Sequence, residues 1–215
     1  HLAGGHSIDT QEPIFGLAVT GRVNLCDLKQ NSTAHSGDQL FLTKPIGVGV
    51  LTTAEKQGVL KPEHSRLAVE NMMRLNSVGA VLGAVSGVSA MTDVTGFGLL
   101  GHLLEICQGS NVSASIDVSA VPVLDPAIFD YITAGCVPGG TQRNWQSIAQ
   151  HISPISIENQ ALLCDPQTSG GLLIAVNPAA VDDVASLLQQ AGCHCQPIGS
   201  LADYNPSQPT IEVMI

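Results

Sequence analysis

Residues 88–109 join a short apolar strand, VSAMTD, to a leucine-striped helix through the glycine-rich turn VTGFG. A strand that gives way to a helix across so few residues has to share one core with it, so the chain must be layered from sheet and helix. Leu99, Leu103 and Ile106 recur on one side of the helix, and Gly109 stands near its expected stop. Asp93 closes the strand, with Gly96 and Gly98 just beyond it. That position admits two readings. Asp93 or Thr95 caps the helix and nothing more. Alternatively, Asp93 holds a divalent ion that bridges to phosphate oxygens, while the glycines let a bulky anion approach the backbone and helix N-terminus.

The remaining pattern predicts strands at 12–23, 39–45, 114–118, 171–177, 195–201 and 210–215. Helices are predicted at about 49–58, 125–135, 142–152, 158–164 and 179–192, with a long helix or a broken pair over 61–85. Pro62 falls in the first turn of that stretch, where its missing N–H costs nothing. In strand 12–23, Phe15, Leu17 and Val19 face one way and Gly16, Ala18 and Thr20 the other, a small-residue face suited to another sheet or subunit. Strands and helices interleave without a Rossmann fingerprint, so the expected class is α+β, a mixed β-sheet with packed helices. The polar link near 30–36 is the expected domain boundary.

Charged residues are 12% of the chain against 44% hydrophobic, which suggests apolar surface covered by a partner. A formal charge of -10, scattered arginines and only 3% aromatic residues argue against nucleic-acid binding. No apolar run reaches membrane-spanning length and no signal peptide is evident, so no membrane partner is expected and the default location is cytoplasmic. Six cysteines are present, and the pair in GCHCQ lacks a second pair at metal-ligand spacing. The chain opens on HLAGGHSID without an initiator methionine, which is expected of the carboxy-terminal portion of a longer protein.

Two further segments carry candidate chemistry. AGGHSID places Gly4, Gly5, His6 and Ser7 where a backbone nest for phosphate or a plain turn is expected; it is not a P-loop. CDPQTSGGLLIAV offers Asp165, Thr168 and Ser169 before a strand, as an anion-facing loop or an Asx-type turn. Lys44 could meet a phosphate, but a single lysine is no signal. No Ser-His-Asp or Cys-His arrangement stands out.

In this order, AGGHSID, EPIFGLAVTG, NSTA, LFLTKPIGVGVLTTAEK, LKPEH, AMTDVTGFGLLGHL, VPGGTQRN and CDPQTSGGLL resemble the selenophosphate synthetase family. It lies in the superfamily of aminoimidazole ribonucleotide synthetase and thiamine-monophosphate kinase. The resemblance implies that residues 1–34 end an amino-terminal ATP-binding domain and that 35–215 form the carboxy-terminal domain. It also implies a selenide, water dikinase: ATP, selenide and water give selenophosphate, AMP and phosphate, for selenocysteine and selenium-modified tRNA. Mg²⁺ is required, a monovalent cation such as K⁺ assists, and the enzyme is a homodimer. Carried over by motif, Asp93 is a Mg²⁺ ligand, and Gly5, His6 and Ser7 touch ATP. The family's catalytic Cys (or selenocysteine) and Lys lie in a Gly-rich segment that none of these motifs matches, so no catalytic residue is assigned and the chain alone is expected to be inactive. The alternatives are another member of the superfamily or a non-catalytic dimerising module.

Overall fold

The computed structural model describes residues 19–214. Among them, six strands form one mixed sheet in the order β2-β4-β1-β5-β3-β6. The strands are β1 (Gln39–Leu42), β2 (Val88–Asp93), β3 (Val112–Asp117), β4 (Leu172–Val176), β5 (Pro197–Asp203) and β6 (Ile211–Met214). All neighbours are antiparallel except β3 and β6, which run parallel. The helices are α1 (Val48–Lys56), α2 (Leu67–Met73), α3 (Val78–Gly83), α4 (Gly98–Ser110), α5 (Ile128–Thr133), α6 (Gly139–Ile148), α7 (Ile157–Leu163) and α8 (Val181–Gln190). The expected α+β class is therefore present.

Helices cover both faces of the sheet. Leu40, Leu42, Leu173 and Ala175 pack into the larger core with residues of α1, α4, α5, α6 and α7. Phe41, Leu172, Ile174 and Val176 alternate onto the other face, against Val78 and Leu82 of α3 and Val184 and Leu188 of α8. This explains why LLIAV is apolar without interruption. It is the one strand buried at every position, lying between two neighbours and beneath helices on both sides.

Several expectations shift in detail. The strand at 12–23 lies mostly outside the described residues, and residues 19–23 form no strand; Val19 and Val23 are exposed. The stretch 61–85 is a broken pair, and Pro62 opens a separate 3₁₀ turn rather than the helix. Gly109 does lie near the end of α4, but the residue that ends the helix in the left-handed region is Asn111, at φ 54°. Strand β2, expected to be buried, lies at the sheet edge. Its outer side meets residues 29–33: Met91 N donates to Gln30 O (3.1 Å) and the Thr33 hydroxyl to Ser89 O (2.6 Å). That contact blunts an edge that would otherwise present unpaired backbone.

Candidate functional site

Strands β1 and β2 both run antiparallel to β4, with Leu42 opposite Leu173 and Asp93 opposite Leu172. The ends of β1 and β2 and the start of β4 therefore meet at one end of the sheet. Register thus brings Lys44, Asp93 and the DPQTSGG loop together, three features that are far apart in the chain.

There, the two glycine turns lock onto each other. Val94 N donates to Gly171 O (2.8 Å), and Gln167 N donates to Thr95 O (3.0 Å). A Cβ on Gly170 would overlap the Val94 carbonyl oxygen, and one on Gly98 would come within 2.7 Å of the Cys164 backbone. Gly98 also needs φ +72°. The Asn144 amide of α6 spans both turns, donating to Gly96 O (2.8 Å) and Cys164 O (3.1 Å). Gly98 and Gly170 thus serve close backbone packing, a role that the separate motifs do not reveal, whereas a Cβ on Gly96 would meet nothing within 4 Å.

Lys44 does not reach towards a phosphate. Its side chain is buried, and its ammonium donates to the carbonyls of Asn71, Arg74 and Ser169. All three of its donors are used. Burial, with the Arg74 charge adding to it, lowers the Lys44 pKa. Asn76 reinforces the clamp by donating to Gly170 O (2.8 Å). With the Arg74 carbonyl turned to Lys44 and the Asn76 amide to the loop, the chain between α2 and α3 is held out of helix.

Asp165 is likewise structural. It is fully buried, and its Oδ2 accepts from Gly49 N (3.0 Å) in the first turn of α1 and from Gln167 Nε2 (2.8 Å). Gln167 Oε1 accepts from Val48 N (3.3 Å). Together they serve the amino end of α1, whose Gly47 N-cap has no side chain to offer. Asp165 Oδ1 has no hydrogen-bond partner among the described residues. Desolvation outweighs the bonds to Gln167 and to the α1 backbone, and pushes the Asp165 pKa up to about 7.

Asp93, by contrast, is exposed, and no side-chain hydrogen bond engages it among the described residues. The N-cap of α4 is Phe97, with no side-chain cap, so the capping reading fails for both Asp93 and Thr95. The Thr95 hydroxyl instead meets His102 Nε2 (3.2 Å), and His102 Nδ1 meets Glu105 Oε2 (3.1 Å). An ionised Glu105 only accepts, which places the His102 proton on Nδ1 and lets Thr95 donate. This chain of contacts, in which only His102 is buried, was missed from sequence, although His102 and Glu105 share a helix face at three-residue spacing. Thr168 and Ser169 are exposed beside Asp93's end of the sheet. Gly5, His6 and Ser7 lie outside the described residues.

Cys107 and Cys164 are buried, and desolvation pushes each thiol up to about 12. Among the described residues, no three His, Cys, Asp or Glu side chains gather to hold a metal. No helix there is long and apolar enough to cross a membrane.

The fold is shared with solved structures. Thiamine-monophosphate kinase from Stenotrophomonas maltophilia superposes with a TM-score of 0.55 at 17% identity, over 86% of this chain and 52% of that one. Hydrogenase maturation protein HypE in complex with ATP gives a TM-score of 0.56 at 16% identity, over 86% and 50%. At such identities the likeness is one of fold. The sequence profile described as AIR synthase related protein, C-terminal domain, matches residues 35–208. The chain belongs to that family. It is also 55% identical over 213 residues to the selenide, water dikinase of Colwellia psychrerythraea, spanning 99% of this chain and 61% of the relative. Against the selenide, water dikinase of Yersinia pseudotuberculosis, identity is 56% over 214 residues, with 100% and 61% covered. The chain thus spans about three fifths of the length of these curated relatives.

Replacing Lys44 by Met should leave one buried and two part-buried carbonyls without their donor and destabilise the fold by about 3 kcal/mol, read as a lower urea midpoint. Asp165 should make stability fall with pH. Its folded pKa of about 7 lies above the ordinary carboxylate value of 3.8, so its contribution is intact below the lower value and is lost as pH rises through the upper one. Relative to Asp165→Asn, the unsubstituted chain should therefore melt progressively lower from about pH 4 to about pH 7, with a constant gap above.

Proposed function

We propose that this chain is the carboxy-terminal part of a selenide, water dikinase, which converts ATP, selenide and water to selenophosphate, AMP and phosphate. The reading is supported by identities of 55% and 56% to relatives of that name across almost the whole chain. One structural observation carries it: Asp93 stands exposed and uncapping at the sheet end where two glycine turns are locked together.

The residues present fit a Mg²⁺ ion in that role. Mg²⁺ takes hard oxygen ligands, commonly one or two protein carboxylates with waters and phosphate oxygens completing the octahedron. Asp93 is a carboxylate that no local hydrogen bond consumes. When bound, Mg²⁺ would neutralise charge on the nucleotide phosphates. The chain's own contribution is to the backbone around Asp93: Lys44 and Asn76 tie down the loop at 165–171, and Asn144 ties Gly96 to Cys164. Gly5, His6 and Ser7 are proposed to contact ATP, and a monovalent cation is proposed to assist, both on the family resemblance alone. The nucleophile is proposed to lie in the part of the relatives that this chain does not span. We further propose a division at residues 34 and 35, a homodimer and a cytoplasmic location.

Asp93→Asn in the full-length protein should lower selenide-dependent ATP turnover at least a hundredfold while leaving the thermal midpoint unchanged, because nothing in the fold leans on the carboxylate. Near-normal turnover at limiting Mg²⁺ would overturn the assignment. Light scattering across a tenfold range of micromolar concentrations should give the mass of a dimer, and a persistent monomer would remove the homodimer from the proposal.

A further inference from the structure

Thr95, His102 and Glu105 stand in series close to Asp93: a hydroxyl, an imidazole and a carboxylate, in contact at 3.2 Å and 3.1 Å. The series has a direction. Glu105, when ionised, accepts the proton of His102 Nδ1, and this leaves a lone pair on Nε2 for the Thr95 hydroxyl. A hydroxyl that donates to an imidazole, whose far nitrogen is held by a carboxylate, is the order of groups that draws a proton off an oxygen.

Three features of placement separate this series from an ordinary buried histidine. The first is its gradient of exposure. His102 is buried, whereas Thr95 is half-buried and the Glu105 side chain is 43% exposed. The Phe97 ring lies against the imidazole, with centroids 5.7 Å apart, and helps to hold its orientation. The second is a fixed backbone. Thr95 O accepts from both Gly98 N (3.1 Å) and Gln167 N (3.0 Å), so the residue that carries the hydroxyl is tied to α4 and to the loop before β4. The third is room. Gly96, the next residue, is exposed, and a Cβ there would meet nothing within 4 Å. The same turn leads into the 13-residue helix α4, whose amino end carries no side-chain cap and favours anions.

The proposed reaction has a use for such a group. Of the two phosphoryl groups taken from ATP, one goes to selenide and the other to water. Water attacks phosphorus well only when its proton has somewhere to go. Lys44 and Asp165 are committed within the fold and cannot receive it.

We propose that Thr95 is a catalytic residue of the water step, with His102 and Glu105 as the positioning residues that act through it. As the water oxygen bonds to phosphorus, the water proton passes to Thr95 Oγ1 and the Thr95 proton passes to His102 Nε2. The bond from phosphorus to the nucleotide oxygen breaks, and its electron pair stays on that oxygen. Glu105 stands where the imidazolium charge forms. The inference rests on the dikinase reading and adds to it a proton acceptor for the water step.

The test uses the full-length protein with ATP and selenide, with AMP and phosphate release followed by phosphorus NMR. Thr95→Val should lower kcat about a hundredfold while the KM for ATP stays within about twofold of its starting value. Thr95→Ser restores the hydroxyl and should keep kcat within about threefold of the unsubstituted protein. Glu105→Gln decides between chemistry and packing, because its amide oxygen can still accept from His102 Nδ1 while the charge is gone. It should lower kcat about tenfold with an unchanged thermal midpoint. Since Glu105 is partly exposed, this variant reads the proposal even where Thr95→Val does not fold. The proposal is overturned by an unchanged kcat in Glu105→Gln or in folded Thr95→Val, or by equal losses in Thr95→Ser and Thr95→Val. Absence of selenide-dependent AMP from the unsubstituted protein would remove the dikinase reading and this step with it. Normal turnover there, with variants that are indifferent, would overturn this step alone.

Discussion

A buried ammonium holds one end of this sheet together. Lys44 leaves β1 and donates to carbonyls from the end of α2, from the segment after it and from the loop before β4. An unpaired charge in such a place would be prohibitive, and three carbonyl dipoles make it tolerable without any carboxylate. The consequence is geometric. The loop at 165–171 is fixed against the turn at 94–97, and Asp93 is fixed with it. Without that clamp, two glycine-rich turns would have many conformations available, and an exposed carboxylate at their junction would have no defined position.

Asp165 shows the same logic with the opposite sign. It serves the amino end of α1 from a distant loop because Gly47 has no side chain to do so. The carboxyl group sits in a place that favours its neutral form, and its second oxygen goes unpartnered. Neither group was assigned a role from sequence, since a lysine after a strand and an aspartate before a proline are each compatible with ligand binding. Their burial decides the matter. Polar residues that look catalytic in a list can be the fasteners of a site, with the chemistry left to the least embedded member.

Much of the fold was legible in advance for a physical reason. Period-two and near-four apolar spacing survives in a single sequence, so β1 to β6 and most helices fell close to their expected places. What local spacing left open is tertiary. The chain breaks between α2 and α3 where Lys44 and Asn76 recruit its polar groups. It runs α4 through Gly109 because Asn111 adopts the left-handed turn instead. For Asp93 the sequence offered a cap or a ligand with no means to choose, and the cap at Phe97 removed the first option.

The sequence by itself determined the class of fold, the strand and helix order, and the family to which the motifs belong. Those follow from local spacing and from short segments that a chain carries wherever it bends. Only the tertiary structure decided which charges are buried and which are free, because burial depends on neighbours more than a hundred residues away, as Ser169 is from Lys44. It also decided that Gly98 lies against the Cys164 backbone, Gly170 against Val94 and Gly171 against Lys44. Each of these close approaches requires a residue without a Cβ on one side, and no spacing rule along a chain records which segments will meet.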